Sequence, residues 1–236
     1  MDPFAAAREA DPMRHRLVTA GLRAMARHGY VGCTVAEIVA EARTSRRAFY
    51  AHFSDREDCL LAGYELATDT LMARMDVDRS ARERWPDRVL AGLDTYLRSI
   101  LDGPDLARVF IVEIHRCGPK ADARRMAVHR RWAEWQSANS RLDLELPGPP
   151  GVVRRALTVE EALASLAATT EILAHALISG EPLDGDALRR QLGFILLSFT
   201  TSSVPADLSK WVHTERVPVG ADAGGDGHGP GTSTTG

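Results

Sequence analysis

The sequence predicts an all-α protein, and three observations carry that prediction. Apolar residues recur at three- and four-residue steps along nearly the whole chain, the spacing that lines one face of a helix. Val, Ile and Thr nowhere alternate with polar residues over the length of a strand. The periodic segments are bounded by residues that start and stop helices. Composition agrees: 44% hydrophobic and 26% charged residues describe an ordinary globular chain. With 236 residues there is enough for one large core or two modest ones, a domain taking roughly 100–200 residues.

The elements follow in order. A first helix is expected over residues 13–28, with Leu17, Ala20, Ala24 and Met25 on one face, stopped by Gly29 as a left-handed cap. Thr34 then opens a second helix over 35–42. Glu37 stands at the third helical position for a reciprocal capping box, and Cys33 and Ile38 have the spacing of a hydrophobic staple. After "RTS", Ser45 caps a short third helix to about residue 52, on which Phe49 and Phe53 share a core-facing side. Ser54 and Glu57 form a second predicted capping box, opening a long helix over 55–75.

Further along, Pro86 suits the first turn of a helix ending near Leu101, and "DGP" at 102–104 breaks the chain. Leu106, Val109, Phe110, Glu113, Ile114 and Cys117 form one stripe on the next helix. Val128, Trp132, Trp135 and Leu142 form another over 120–142. "LPGPPG" at 146–151 is a loop. Two apolar helices follow, over 158–179 and 184–202, the second opened by Asp184 with Leu183 and Leu188 as a staple. The tail from 213 to 236 is too rich in Gly to offset its ordering entropy, and it is expected to be disordered, as is an N-terminal arm over 1–12.

Charge separates the two ends. Residues 1–53 hold eight Arg against five acids, a net of +3, so the other 183 residues carry −6 to give the whole chain −3. One end is suited to a polyanion and the rest is not. Two short helices joined by a tight turn and braced by a preceding helix describe a helix-turn-helix, whose second helix enters the major groove of DNA. Ile38, Val39, Met25, Tyr30, Phe49 and Phe53 supply its small core. That leaves Thr44, Ser45, Arg46, Arg47, Ala48, Tyr50 and His52 outside. Arg pairs bidentately with guanine, while Thr34, Ser45, Tyr50 and Arg56 suit phosphates.

The quoted residues resemble a known family, the TetR-type bacterial transcription regulators. The resemblance lies in "HGY" at 28–30, T-V-x-x-I-x-x-x-A from Thr34, S-R-x-x-F-Y-x-H-F from Ser45, and S-x-R-E from Ser54, where the family usually has Lys before the Glu. It covers residues 14–61, and the combined signature is highly specific. It implies an N-terminal three-helix DNA-binding domain (13–54) joined to a larger helical ligand-binding and dimerisation domain (55–212). It also implies that 45–52 is the recognition helix, with Tyr50 and Arg56 on phosphates and positions 46–48 facing base edges. Two departures stand out. Arg43 occupies a turn position where the family usually has Gly; a left-handed backbone there costs a non-Gly residue of order 1 kcal/mol, so either the turn differs or Arg43 gains a phosphate contact. Arg47 replaces a residue that is often small. The DNA-facing set is therefore Thr34, Arg43, Thr44, Ser45, Arg46, Arg47, Ala48, Tyr50, His52 and Arg56.

The resemblance further implies a homodimer formed through the last two helices and a small-molecule effector bound in the body. Two apolar faces on 158–179, and an almost wholly apolar 193–199, exceed what one core requires. Leu166, Thr169, Leu173, Phe194 and Leu197 are the expected interface residues. Phe110, Glu113, Ile114, Trp132 and Trp135 are the expected pocket residues, although the aromatics fit plain core equally well. A symmetric dimer spaces its two recognition helices about 34–36 Å apart on a palindromic double-stranded operator. The expected activity is repression relieved by the effector.

Other chemistries find less support. Glu113, His115 and Cys117 lie close in sequence, but residues two apart on a helix face different ways. Glu171 and His175 are one turn apart, and two ligands without a third make a weak metal site. No H-E-x-x-H, G-x-S-x-G or phosphate-binding glycine loop occurs, so no catalytic residue, metal or cofactor is expected. A protein-binding adaptor on the same fold is the alternative, but it has no need of Arg46, Arg47, Tyr50 and Arg56 on one surface. Cys33, Cys59 and Cys117 are odd in number and widely spaced, as suits buried reduced thiols. No leader pattern and no apolar run of roughly 18–20 residues is evident, so a cytoplasmic location and no membrane partner are expected.

Overall fold

The computed structural model describes residues 11–201. Among the described residues the fold is helical: α1 (Pro12–Gly32), α2 (Val35–Glu41), α3 (Arg46–Tyr50), α4 (Arg56–Ser80), α5 (Trp85–Leu101), α6 (Pro104–Ile111), a 3-10 turn (Glu113–Arg116), α7 (Pro119–Asp143), α8 (Val159–Ser179) and α9 (Gly185–Phe199). An isolated bridge between Arg154 and Thr201 is the one β-type pairing among them. Most of the expected arm and the whole of the expected tail over 213–236 lie outside the described residues. Asp11 and Pro12 of that arm do not belong to it. Asp11 accepts a hydrogen bond from the Arg14 N–H, and Pro12 fills the first helical position of α1, where its missing N–H costs nothing.

Local chemistry explains most of the boundaries. Gly29, at φ 69°, stops the regular part of α1. Thr34 and Glu37 form the full capping box of α2, with Cys33 and Ile38 both buried as its staple. The cap of α4 is displaced by one residue from the predicted Ser54–Glu57 box. Asp55 accepts from the Asp58 N–H at 2.7 Å, and Asp58 reaches back to accept from the Ser54 N–H at 3.1 Å. A carboxylate at 55 offers the free N–H groups a charged acceptor that the Ser54 hydroxyl cannot match. α8 carries a second full box, Thr158 with Glu161, and Asp184 caps α9.

The stripe from Leu106 to Cys117 is not one helix. It breaks at Val112 into α6 and the 3-10 turn, and it serves two interiors: Ala107 and Ile111 pack with Leu97, Leu173 and Leu192, whereas Val109 and Ile114 pack with Leu17, Phe49 and Leu60. The predicted face of α7 also ends one residue early. Leu142 is 55% exposed, and Asp143 beside it is buried. α8 corrects the expectation that no helix is apolar enough for a membrane: at 21 residues it qualifies by length and composition. Here it packs against α6, α7 and α9 and donates Leu173 and Leu177 to the core.

The boundary expected at residue 54 is not a break in packing. A helix-turn-helix of some forty residues is too small to bury a sufficient core alone. Its interior continues into Cys59, Leu60 and Tyr64 of α4 and on to Val109, Ile114 and Val128. α4, α5, α7 and α8, closed by α6 and α9, form the body beyond it.

Candidate DNA-binding surface and ligand cavity

The turn between α2 and α3 is built by two backbone bonds, Arg43 N–H to Ala40 O and Thr44 N–H to Val39 O. They turn the chain through Arg43 at φ 48°, the one non-Gly residue with positive φ among those described. Of the two sequence readings, the left-handed turn is the one adopted. Ser45 then accepts from the Ala48 N–H and starts α3. Phe49 and Phe53 turn inward and stack at 5.6 Å. By helical geometry the outward face carries Arg46, Arg47 and Tyr50, the last 58% exposed, with Arg43 and Ser45 exposed beside them.

Other members of the predicted set are engaged within the chain. The Thr34 hydroxyl accepts from Glu37 N–H, Thr44 lies against the Met13 sulfur, and His52 Nδ1 is 3.3 Å from Asp11. Ala48 is half-buried. Arg56 donates to the carbonyls of Val31 and Cys33 and stacks over Tyr30 at 4.5 Å. Its guanidinium therefore locks the end of α1 to the start of α4, which leaves less of it for a phosphate.

The body encloses a cavity of about 400 Å³ between α4, α5, α6, α7 and α8. Its wall is mainly apolar and aromatic, including Tyr64, Leu71, Tyr96, Phe110 and Trp132, with His129 among them. Tyr96 and Trp132 meet edge to face at 5.7 Å. Burial, reinforced by the charges of Arg125 and His115, pushes the His129 imidazole down to about 4, so it is neutral near pH 7. Burial pushes the Tyr64 phenol up to about 12. Both side chains thus offer uncharged hydrogen-bonding groups to the interior.

Two of the five predicted pocket residues, Phe110 and Trp132, line this cavity, and three do not. Ile114 is fully buried in the N-terminal core. Trp135 donates from Nε1 to Asp76 and faces a smaller pocket. Glu113 is turned away by the break at Val112. Its carboxylate accepts from the backbone N–H of Tyr30 and lies 3.7 Å from Arg108 Nε. Gly29 makes that approach possible, since a Cβ there would stand 3.0 Å from Glu113 Oε2 and its φ of 69° also disfavours other residues.

The smaller pocket, about 60 Å³, shares Tyr96, Trp132 and Leu166 with the larger one. Arg79 lines it, 7% exposed, and bonds the buried Asp143 at 2.8 Å. Arg88 approaches the same carboxylate at 3.8 Å, and Arg154 donates to the Asp143 carbonyl. Burial raises the Asp143 carboxyl despite these arginines. Sequence reading missed His129, Tyr64, Tyr96 and Arg79. The Arg79–Asp143 pair spans 64 positions, and no local spacing announces it.

Residues 17–62 match the family model for bacterial regulatory proteins of the tetR family. The chain is 31% identical over 85 residues to the HTH-type transcriptional repressor SCO4008 of Streptomyces coelicolor; the match covers 36% of this chain and 44% of that repressor. Its fold is that of the regulator FadR from Bacillus subtilis, solved with stearoyl-CoA (TM-score 0.64, 16% identity, 78% of this chain and 98% of that one). A putative transcriptional regulator from Saccharomonospora viridis, solved with choline, shares the fold equally (TM-score 0.62, 19% identity, 80% and 97%). The family match is confined to the N-terminal residues 17–62, and the likeness of the rest is one of fold. The matched residues take in α2 and α3, the two helices of the helix-turn-helix.

The expected dimer residues divide. Leu166, Thr169 and Leu173 are buried inside the protomer and are corrected to core positions. They sit on the inward stripe of α8, where Leu173 is already packed against α5 and α6. Phe194 is 74% exposed on α9, and Leu197 is half-buried. The outward stripe of α8 is Ala164, Ala167, Glu171, His175 and Ile178, the last 58% exposed. All three cysteines are free and buried, and burial raises their thiols. No cluster of three or more metal-ligating side chains occurs among the described residues.

Proposed function

We propose that the chain is a homodimeric, ligand-responsive regulator that occupies a palindromic operator as a repressor and releases it when a small molecule enters the body cavity. The observation that carries this reading is the shared use of α6 and the turn after it. Phe110 and Ile111 line the cavity, and Glu113, in the turn that follows, holds the Tyr30 N–H at the end of α1. A ligand that shifts α6 therefore moves the frame on which α3 is mounted. It lowers operator affinity by as much as its own affinity differs between the two arrangements.

Arg43, Ser45, Arg46, Arg47 and Tyr50 are the residues proposed to meet DNA, with Arg46 and Arg47 at base edges and Tyr50 on phosphate. Phe194 and Ile178 supply the centre of an interface in which α8 and α9 of two protomers pack as four helices. FadR and the choline-bound regulator carry ligands of opposite charge on one fold, so the lining of each cavity, not the fold, selects the effector. We place the regulator in the cytoplasm, with its operator.

Selection of bound sequences from a random DNA pool tests the proposal. A palindromic consensus with half-sites about one duplex turn apart is the expected result. No enrichment from folded, dimeric protein sinks it in favour of a protein-binding adaptor.

A further inference from the structure

We infer that the smaller pocket is a carboxylate subsite, and that the effector is an amphipathic organic acid whose apolar body fills the main cavity while its carboxylate meets Arg79. This deepens the effector reading above and rests on it.

The argument begins with charge. Arg79 and Arg88 face one carboxylate, Asp143, and Arg154 donates to the backbone carbonyl of the same residue. Arg79 is buried, and its Nε has no hydrogen-bond partner among the described residues; the same holds for Arg88 Nε, and Asp143 Oδ1 has the 3.8 Å approach of Arg88 but no hydrogen bond. A guanidinium carries five donors, and leaving buried ones unused is costly. One carboxylate does not balance the two guanidiniums that face it, so the cluster retains positive charge and spare donors. Arg79 is the single charged residue among those lining the smaller pocket.

Position supplies the second step. The two pockets lie end to end along α4, the larger beginning at Tyr64 and the smaller ending at Arg79. Those residues are about 22 Å apart at the helical rise of about 1.5 Å per residue. Tyr96, Trp132 and Leu166 line both spaces, so side-chain rotation at this shared wall joins them. The main cavity presents mostly aromatic and aliphatic groups with neutral His129, and its two charged lining residues, Arg74 and Asp102, are of opposite sign, so the wall suits a body without net charge. The small pocket has room for little more than two waters at roughly 30 Å³ each, the size of a carboxylate head. Gln136 and Thr169 line it as well and offer further hydrogen bonds.

Calorimetric titration of the intact protein with matched probes tests the inference. Octanoate, octanol and octylammonium form one set; 2-naphthoate, 2-naphthalenemethanol and 2-naphthylmethylammonium form the other. In at least one set the acid is expected to bind tenfold or more tighter than its alcohol and amine. Gln136→Glu, which places a competing carboxylate in the pocket, is expected to erase that preference. The double variant Arg79→Met with Asp143→Asn removes the pair without stranding a charge, and it should retain alcohol binding while losing the preference for acid. Acid and alcohol binding alike, amines binding best, no probe binding, or a preference that survives both variants would each overturn the subsite. Operator affinity measured with the preferred acid separates the two readings: tight, acid-selective binding without operator release upholds the subsite and refutes the effector role.

Discussion

The carboxylate of Glu113 accepts a hydrogen bond from the backbone N–H of Tyr30, 83 positions earlier in the chain. The bond ties the turn after α6 to the end of α1, and Arg56 grips the same place from α4 through the carbonyls of Val31 and Cys33. Hydrogen bonds to a charged group contribute about 1.5–3 kcal/mol. Glu113→Ala should lower stability in urea by about 1–3 kcal/mol, and Glu113→Gln, which keeps an acceptor, should recover most of it. The sharper readout is hydrogen exchange at the Tyr30 amide, slow in the wild type and Gln variant and fast in the Ala variant. Equal protection in all three would show that the bond does not hold the two regions together.

Arg43 stores strain in the helix-turn-helix. Its φ of 48° costs an L-residue about 1–2 kcal/mol, and Gly would relieve it while giving back about 0.5–1 kcal/mol in unfolded-chain entropy. Arg43→Gly should therefore stabilise the protein by up to about 1 kcal/mol and also weaken DNA binding at low salt. A more stable variant with unchanged DNA affinity would remove Arg43 from the phosphate contacts.

The helix-turn-helix was legible because its determinants are local. Thr34 with Glu37, Ser45 with Ala48, and the inward pair Phe49 and Phe53 are all set by spacings of three or four residues. The body helices were legible for the same reason, to within a few residues. The cavity was not. Phe110 and Glu113 share a stripe in sequence, yet the break at Val112 sends one to the cavity and the other to Tyr30. Leu173 and Phe194 read alike as apolar, and only packing makes the first core and the second surface. Arg79 and Asp143 meet through the parallel pairing of α4 and α7, which neither segment encodes alone.

Arg46 and Tyr50 lie on the exposed face of α3, so their removal should leave the fold unchanged. Arg46→Ala with Tyr50→Ala should abolish operator binding, while sedimentation still reports the same assembly. Singly, Arg46→Ala should cost about 1–3 kcal/mol and relax base preference at one position, the mark of a base-edge contact. Tyr50→Phe should weaken all sequences alike. Retained operator binding in the double variant would place the reading helix elsewhere.

His129 gives stability a dependence on pH with a definite sign. Its imidazole is held down to about 4 in the folded protein against 6.5 when exposed. Between those values the unfolded chain binds the extra proton, so stability is highest above about pH 6.5 and falls as pH drops toward 4. Glu37, Glu41 and Glu161 are held below their ordinary 4.5, and what they contribute is lost only below that value. The raised Asp143 acts in the opposite direction, so the comparison must be made against His129→Gln, in which its effect cancels. Urea unfolding at about pH 7, 6 and 5 should show the wild type losing stability relative to that variant. A constant difference would mean that folding does not disfavour protonation of His129.

Phe194 offers a test of assembly that leaves the protomer intact. It is 74% exposed on α9, and an exposed side chain away from special features contributes within about 0.5 kcal/mol to the protomer itself. Were it at the centre of an α8–α9 interface, it would be among the anchors that dominate association. Phe194→Asp should then yield a folded monomer by sedimentation, with operator affinity sharply reduced because one half-site alone is held. Leu173→Asp serves as the contrast: buried in the protomer, it should unfold the chain rather than dissociate it. A Phe194→Asp protein that sediments as the wild type does would move the interface away from this face, and the spacing of the recognition helices would have to be derived from another pair of elements.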